Sequence, residues 1–300
     1  MTFAIQLDKL AKSYGRNRGV IDLDLEVKAG EVFGYLGPNG AGKTTTIRIL
    51  LDLIRPSAGR ARVFGIETTR DPVAIHRRTG YLPGEFSLYD NLSGGETIAY
   101  FAHLRGGVDE AYQRTLVERL DLDPSRNYRE YSKGNKQKVA LVVAFQHHPD
   151  LLILDEPTSG LDPLVQQEFF GMLAEARSEG RTVFLSSHII GEVEKTCERV
   201  AIIREGRLVK VDLVESLRDL SVHEVEMRFA GAVPAAKFEA IPGVGNVVVE
   251  DHSLRMNVHG PIAPVVRAAA AFDLIDFTSR EPSLEEVFLA EYEREAVDAG

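Results

Sequence analysis

The apolar positions near the amino terminus recur with a period of two. Between residues 21 and 27 they alternate with acids, in the order Ile21, Leu23, Leu25 and Val27. This alternation predicts a half-buried antiparallel strand. Further along the chain, unbroken apolar runs predict buried strands at VFGYL (32–36), LLIL (151–154) and TVFLS (182–186).

Segments with the pattern of helices separate these strands. Helices are predicted at 44–54, about 134–147 and about 163–179, and residues 72–130 are predicted to be mostly helical. The segment VAIIREGRLVK (200–210) predicts a hairpin that turns near Glu205 and Gly206. Strands that alternate with helices imply an α/β fold with a mostly parallel sheet, and the early strands form an antiparallel addition to it.

The pattern changes at about residue 215. Short segments then predict, in order, a strand at 225–229, a helix at 235–241, a hairpin at 247–258, a helix at 261–272 and a strand at 274–278. This β-α-β-β-α-β order indicates a small α+β, ferredoxin-like domain. A last amphipathic helix is predicted from Ser283, with Glu286 completing a capping box. We therefore expect two domains, 1–214 and 215–300, and a helical subdomain at about 85–148.

Composition narrows the classes of function. The 300 residues are 44% hydrophobic and 27% charged, with a net charge of −10, values ordinary for a soluble globular protein. The acidic balance argues against nucleic acid as the main partner, because such binding depends on Lys and Arg. The single cysteine, Cys197, rules out an internal disulfide and fits a reducing cytoplasm. Without a signal peptide or a long apolar run, the chain is not expected to cross a membrane by itself.

A glycine-rich segment follows the predicted strand at 32–36. It fits the phosphate-binding P-loop pattern G-x-x-x-x-G-K-[ST] through Gly37, Pro38, Asn39, Gly40, Ala41, Gly42, Lys43 and Thr44. Positions without side chains let backbone N–H groups surround phosphate oxygens, and the next helix presents its positive end. Lys43 is expected to reach the β- and γ-phosphates, and Thr44 to bind Mg²⁺. Thr45 is included among the nucleotide-binding residues.

The apolar run LLIL ends in two acids. Asp155, at a strand end beside the P-loop, is expected to hold Mg²⁺, and Glu156 to polarise the attacking water. An acidic cap after a strand is a common alternative. The presence of a P-loop in the same chain favours the catalytic interpretation.

This order of motifs resembles the ATP-binding subunit of an ABC transporter, over essentially the whole chain. The segment Ser159–Asp162 is similar to the D-loop of that family, and Ser186-Ser187-His188 follows the next strand as the family's switch histidine does. The resemblance implies that His188 contacts the γ-phosphate, that Asp162 belongs to the nucleotide-binding set and that Tyr14 stacks on adenine. Packing or surface roles are the ordinary alternatives for a lone histidine or tyrosine.

Two segments compete for the family's signature, LSGGQ, which starts a helix facing the γ-phosphate bound by the other subunit. Leu92–Glu96 reads LSGGE, but it lies early in the chain, and its Ser and Glu form a capping-box pattern. YSKGN (131–135) lies shortly before Asp155 and opens a helix. Its SKG-x-x-QK form resembles the variant of antibiotic-exporting members. We assign the signature to this second segment, with nucleotide-binding roles for Ser132, Lys133 and Gly134.

The family's glutamine after Tyr-Leu-Pro is missing from this chain. Gly84 stands in its place, and Glu85 comes next. Glu85 is therefore a candidate Mg²⁺ ligand, and a surface acid in a Pro-Gly turn is the alternative.

The resemblance implies a complete working unit. It implies an ATPase with Glu156, His188 and Lys43 as catalytic residues, ATP and Mg²⁺ as cofactors, and a second copy of the chain as partner. It also implies a separately encoded polytopic permease and a location at the cytoplasmic face of the cell membrane. The ending EPSLEEVFLAEY (281–292) resembles exporter ATPases of the daunorubicin and bacitracin type, which favours export of a drug, antibiotic or lipid-like substrate. A heterodimer, a soluble ABC-type ATPase, an importer ATPase and a non-catalytic subunit are the alternatives.

Overall fold

The computed structural model describes residues 2–15, 17–86, 91–215, 222–231 and 233–280. The chain divides into two compact units, Met1–Asp212 and Leu213–Gly300. No helix within these described ranges is long and apolar enough to span a membrane.

An antiparallel sheet opens the first unit. Its strands are β1 (Phe3–Tyr14), β2 (Asn17–Lys28), β4 (Ala58–Val63) and β5 (Ile66–Glu67), in the order β2-β1-β4-β5. Leu7 lies opposite Leu25, and the predicted inward positions Leu23, Leu25 and Val27 are buried. The predicted antiparallel addition is therefore confirmed, and β4 and β5 extend it beyond the early strands.

A six-stranded sheet forms the centre of the same unit. Its strands are β3 (Val32–Leu36), β6 (Thr79–Leu82), β7 (Leu151–Asp155), β8 (Thr182–Ser187), β9 (Arg199–Arg204) and β10 (Arg207–Leu213). The order is β10-β9-β3-β8-β7-β6, and β9, β3, β8, β7 and β6 pair in parallel. Because both faces of this sheet are covered, β3, β7 and β8 are buried along their whole length.

Strand β6 corrects the prediction that residues 72–130 are mostly helical. Its four residues, TGYL, pair with Leu151–Leu154 of β7. So short a segment carries no strand periodicity, and its partner is distant in the chain. Long-range pairing, rather than local propensity, makes it a strand.

Seven α-helices are described in the first unit. They are α1 (Lys43–Leu50), α2 (Pro72–Arg78), α3 (Gly94–Leu104), α4 (Glu110–Arg119), α5 (Lys133–Phe145), α6 (Pro163–Ser178) and α7 (Ile190–Thr196). Helices α3 to α5 lie within the expected helical subdomain. Helix α1 ends earlier than predicted, because Asp52 adopts a left-handed φ of 51° and Leu53 N turns back to Arg48 O.

The second unit has its own core. Its elements are β11 (Val222–Phe229), α8 (Ala235–Glu239), β12 (Val244–Glu250), β13 (Ser253–His259), α9 (Ala263–Ala269) and β14 (Leu274–Arg280). The antiparallel order β12-β13-β11-β14 is that of a ferredoxin-like sheet, as predicted. The predicted helix from Ser283 and the ending 281–292 lie outside the described residues.

Packing between neighbouring strands of the six-stranded sheet sets the position of the site. Phe33 stacks on Phe184 with ring centroids 6.0 Å apart, and fully buried Tyr35 packs on the same ring. The parallel register then places Leu36 beside Ser187 and Asp155 beside Ser186. The carboxyl ends of β3, β8 and β7 therefore lie side by side, which is where ligands bind in such sheets.

Candidate active site

The P-loop joins β3 to α1 and depends on its glycines. Gly40 and Gly42 have φ of 81° and 110°, a region that residues with side chains rarely adopt. At Gly37, an added Cβ would lie 2.3 Å from Ile203 O. Gly42 occupies the N-cap and has no side chain with which to cap α1. The loop thus leaves the positive end of α1 available to an anion.

Lys43 holds a buried charge in this loop. Its side chain is only 6% exposed, and its ammonium donates to Gly37 O and Pro38 O. The same Nζ lies 3.1 Å from Glu156 Oε1, as an ion pair without the alignment of a hydrogen bond. A buried ammonium needs such compensation. An entering anion would have to replace Glu156 as its charged partner.

Asp155 ends β7 and is 1% exposed. Its Oδ2 accepts a hydrogen bond of 2.8 Å from Thr44 Oγ1, and its Oδ1 accepts one from Ser186 Oγ. Burial, and next the negative charge of Asp155, raise the pKa of Tyr81 to about 12. A carboxylate and hydroxyls at one point provide the oxygen ligands that Mg²⁺ prefers.

The protein ligands at this point are few. Among the residues that the structure describes, no group of three or more His, Cys, Asp and Glu side chains can hold a metal. Mg²⁺ commonly takes one or two protein oxygens and completes its shell with water and substrate phosphates. Thr44 and Asp155 fit that use.

Gly84 borders the predicted metal site. A Cβ added at Gly84 would lie 3.4 Å from Asp155 Oδ2. Glu85 is exposed and makes no hydrogen bond or ion pair within the described part of the chain. Its role as a Mg²⁺ ligand stays a prediction.

Glu156 and His188 form a pair at the ends of β7 and β8. Glu156 has a left-handed φ of 51°, and its N–H donates to Ser186 O over 3.1 Å. His188 Nδ1 lies 2.7 Å from Glu156 Oε2, and since a carboxylate only accepts, Nδ1 carries the proton. The two side chains are 20% and 48% exposed, so water reaches both. This carboxylate faces Lys43 on one side and His188 on the other.

Tyr14 ends β1 with 47% of its surface exposed. The ammonium of Lys12 lies 5.4 Å from the centre of its ring. Gly19 of β2 lies against both this ring and α1, because a Cβ added there would lie 2.9 Å from Tyr14 Cε2 and 3.2 Å from Thr45 Cγ2. An exposed aromatic face beside the first turn of α1 suits the predicted stacking on adenine.

The predicted signature opens α5. Ser132 is exposed at the N-cap and accepts from Asn135 N over 3.3 Å. The N–H groups of Lys133 and Gly134 have no hydrogen-bond partner within the described ranges. The start of α5 therefore has backbone donors to offer an anion.

The look-alike segment opens α3 and has no such donors. Ser93 and Glu96 close a complete capping box, with hydrogen bonds of 3.1 and 2.7 Å. Gly94 N donates to Arg126 O, and Gly95 N donates to Pro124 O. Because the first amides of α3 are used inside the protein, this contrast supports the assignment of the signature to α5.

The predicted D-loop packs against the start of α5. Lys133 Nζ donates to Ser159 Oγ over 2.7 Å, and a Cβ at Gly134 would lie 2.3 Å from Gly160 O. Asp162 caps α6 by accepting from Leu164 N and Val165 N. These backbone hydrogen bonds, above all the one from Val165, lower the pKa of Asp162. Its membership of the nucleotide-binding set stays a prediction.

Comparison with known proteins identifies the family to which this site belongs. Residues 20–159 match the family model described as ABC transporter. The bacitracin transport ATP-binding protein BcrA of Enterococcus faecalis is 32% identical, over 85% of this chain and 84% of that protein. The chain belongs to the ABC transporter ATP-binding proteins.

Other proteins match most of the chain. The daunorubicin resistance ATP-binding protein DrrA3 of Streptomyces coeruleorubidus is 34% identical over 95% of each chain. A solved ATP-binding subunit of an ABC transporter is 30% identical, with a TM-score of 0.66 over 72% of this chain and 92% of that one. A dimeric bacterial ABC transporter cassette, at 22% identity and a TM-score of 0.65 over 70% of this chain and 98% of that one, shows the fold alone.

The predicted family, fold class and ATPase activity are thereby confirmed. This ABC cassette binds ATP and hydrolyses it. The roles of individual residues stay predictions that the geometry supports.

Two residues of the ABC site had no predicted role. Ser186 bonds Asp155, and Gln137 Nε2 donates to Glu156 O over 3.3 Å and to Pro157 O over 2.9 Å. Gln137 stands in the SKG-x-x-QK run, but a helical pattern does not show what its side chain holds. Ser186 becomes a partner of Asp155 only through the pairing of β7 with β8.

Proposed function

We propose that this ABC ATPase powers the export of a drug, antibiotic or lipid-like substrate through a separate membrane permease. The names of its relatives support this proposal. They include bacitracin transport and daunorubicin resistance proteins, and a Nod factor export ATP-binding protein of Paraburkholderia xenovorans that is 33% identical over 98% of this chain and 99% of that protein. The chain then works at the cytoplasmic face of the membrane, held there by the permease.

The position of Glu156 between Lys43 and His188 carries the catalytic part of the proposal. The phosphates of ATP replace Glu156 as the charged partner of Lys43. Glu156 Oε1 is then released to accept a proton from the attacking water, while His188 holds the other oxygen 2.7 Å away. Thr44 and Asp155 would hold Mg²⁺, which would neutralise phosphate charge. Catalysis of this kind rests on positioning and electrostatic stabilisation.

Two copies of the chain complete the site. One chain carries both a P-loop and the open amides at the start of α5, so a homodimer with two working sites is the simplest arrangement. Ser132, Lys133 and Gly134 of each copy bind the ATP held by the P-loop of the other. A heterodimer with a related chain is the alternative. Residues 215–300 serve as an accessory module for dimerisation or regulation.

Loss of the Glu156 carboxylate tests the catalytic role. In Glu156→Gln, we expect ATP hydrolysis to fall about a hundredfold or more, the usual contribution of a general base. ATP binding, measured by a fluorescent analogue, is retained. The control Glu118→Gln changes an exposed acid of α4 and keeps the wild-type rate. An unchanged rate in Glu156→Gln would remove Glu156 from the mechanism.

The transport role needs a separate test. The tagged chain is extracted from membranes of its host in mild detergent, and co-purifying proteins are identified by mass spectrometry. We expect a polytopic membrane protein in stoichiometric amount. Recovery of the chain without any membrane protein would contradict export while leaving the ATPase activity intact.

A further inference from the structure

A buried carboxylate lies beneath the two loops that carry Glu156 and His188. Glu192, in the first turn of α7, is only 6% exposed. Its Oε2 accepts a hydrogen bond of 2.8 Å from Ser187 Oγ, and its Oε1 accepts one from Thr158 Oγ1. One side chain therefore joins the segment after β7 to the end of β8.

Each partner of Glu192 leads directly to a site residue. Thr158 follows Glu156 in a tight turn, in which Leu161 N donates to Thr158 O over 3.0 Å. Ser187 precedes His188, and its carbonyl accepts from Gly37 N at the start of the P-loop over 3.2 Å. A shift of Glu192 would therefore move both the loop that carries Glu156 and the loop that carries His188, here called the catalytic loops.

The hydrogen bonds from Thr158 and Ser187 each require an acceptor oxygen on residue 192. An ionised carboxylate accepts hydrogen bonds with both oxygens, whereas an amide accepts with one and donates with the other. Each hydroxyl is free to rotate, so glutamine would keep part of the link. A leucine of similar size would keep none of it. Thr158 Oγ1 would lose this acceptor, and Ser187 Oγ would keep only its hydrogen bonds with Ile189 N and Ile189 O.

We infer that Glu192 is a positioning residue for ATP hydrolysis. Through Thr158 and Ser187 it ties the loop of Glu156 to the loop of His188 and so maintains the 2.7 Å contact between them. Its carboxylate bonds Thr158 and Ser187, so it acts through their neighbours Glu156 and His188. The inference rests on the proposed function, in which Glu156 and His188 act in hydrolysis.

Steady-state kinetics of the full-length chain test the inference. In Glu192→Leu we expect kcat to fall about tenfold or more, because small displacements of reacting groups have large effects, while KM for ATP changes by less than about twofold. Glu192→Gln recovers part of kcat. A rise in KM with unchanged kcat, or equal rates in wild type and Glu192→Leu, would overturn the inference.

The matched control is another buried acid in the same unit. Glu31 is also 6% exposed and pairs with Arg199 over 2.9 Å, but it touches neither catalytic loop. Glu31→Gln is expected to keep the wild-type kcat even where it lowers the midpoint of thermal unfolding. An equal fall in kcat in Glu31→Gln and Glu192→Gln would mean that the effect reports stability alone.

Hydrogen–deuterium exchange gives a readout that does not depend on turnover. In Glu192→Leu, the segments 156–162 and 186–189 are expected to exchange faster together. Thr196→Val, which removes a hydrogen bond of 2.7 Å to the Glu192 carbonyl, is expected to affect α7 only. Faster exchange confined to α7 in Glu192→Leu would overturn the inference. If the wild type lacked ATPase activity, the proposed function would fail while exchange would still decide this point.

A double-mutant cycle covers the case in which Glu192→Leu does not fold. Thr158→Val and Ser187→Ala each remove one hydroxyl and leave Glu192 in place. Because both act through one carboxylate, their effects on kcat are expected to depart from additivity by about threefold or more. Strict additivity would show that the two loops are not coupled through Glu192.

Discussion

Helices α3 and α5 both begin with a capping serine followed closely by glycine, yet they present different surfaces. At α3, Ser93 and Glu96 close a capping box, and the amides of Gly94 and Gly95 donate to backbone carbonyls. At α5, the serine caps its helix alone, and the first two amides have no partner among the described residues. The sequence closer to LSGGQ is therefore the one without donors to offer. Free donors, rather than motif letters, distinguish a phosphate site from a helix start.

The look-alike segment has a structural role of its own. A Cβ added at Gly94 would lie 2.2 Å from the Tyr131 hydroxyl, which donates to Asp123 O. Tyr131 directly precedes Ser132. The start of α3 thus supports the first residue of the predicted signature, and its glycine is needed for close packing.

The largest contrast between the two helix starts is expected from adding one methyl group. In Gly134→Ala the new Cβ would lie 2.3 Å from Gly160 O, whereas in Gly95→Ala it would lie 3.2 Å from Pro124 O. We expect ATP hydrolysis to fall about a hundredfold in the first variant, because the D-loop and the signature must separate. The second variant keeps a rate within about twofold of wild type, since alanine favours the helix. Similar rates in both variants would break the comparison.

A smaller contrast is expected from removing each hydroxyl. Ser93→Ala should lower the free energy of unfolding by about 1 kcal/mol, the usual cost of a lost N-cap, and leave hydrolysis unchanged. Ser132→Ala should lose stability similarly and also lose about tenfold in hydrolysis, the effect of one hydrogen bond to a charged group. Chemical denaturation and an ATPase assay on the same samples measure both. A tenfold loss in Ser93→Ala instead would reverse the assignment.

The smallest effect concerns acid stability at α3. Hydrogen bonding to Ser93 N–H lowers the pKa of Glu96 below its ordinary 4.5. A carboxylate whose pKa is lower in the folded than in the unfolded protein stabilises the fold at a pH above its unfolded-state pKa. This contribution is lost as the pH falls through the folded-state pKa. Wild type should therefore lose its advantage over Glu96→Gln as the pH falls below 4.5. Thermal unfolding midpoints measured at several pH values test this, with Glu118→Gln as an exposed control. If the midpoints of wild type and Glu96→Gln changed in parallel with pH, the prediction would be contradicted.

Much of the fold and of the site could be predicted from local sequence patterns. The P-loop lies between a buried strand and a helix, and Asp155 and Glu156 follow an apolar run, so short-range pattern was enough to predict them. The ferredoxin-like order of the second unit also followed from neighbouring strands and helices.

The remaining features depend on pairing between distant segments. Strand β6 exists because of β7, and Ser186 reaches Asp155 only through the register of β7 with β8. Glu192 had no predicted role, and it links the two loops only because α7 buries it against Thr158 and Ser187. No local periodicity reports such contacts.

The most direct test of the account is ATP-dependent dimerisation. Glu156→Gln, combined with either Ser132→Asp or Ser93→Asp, is measured with ATP by size-exclusion chromatography and light scattering. Aspartate caps a helix as well as serine does, so both helices stay capped, and only a charge is added. This avoids the overlap with Gly160 O that any side chain at Gly134 would create. We predict a dimer for Glu156→Gln alone and with Ser93→Asp, and a monomer with Ser132→Asp, where the carboxylate repels phosphate. A dimer with Ser132→Asp and a monomer with Ser93→Asp would contradict the account.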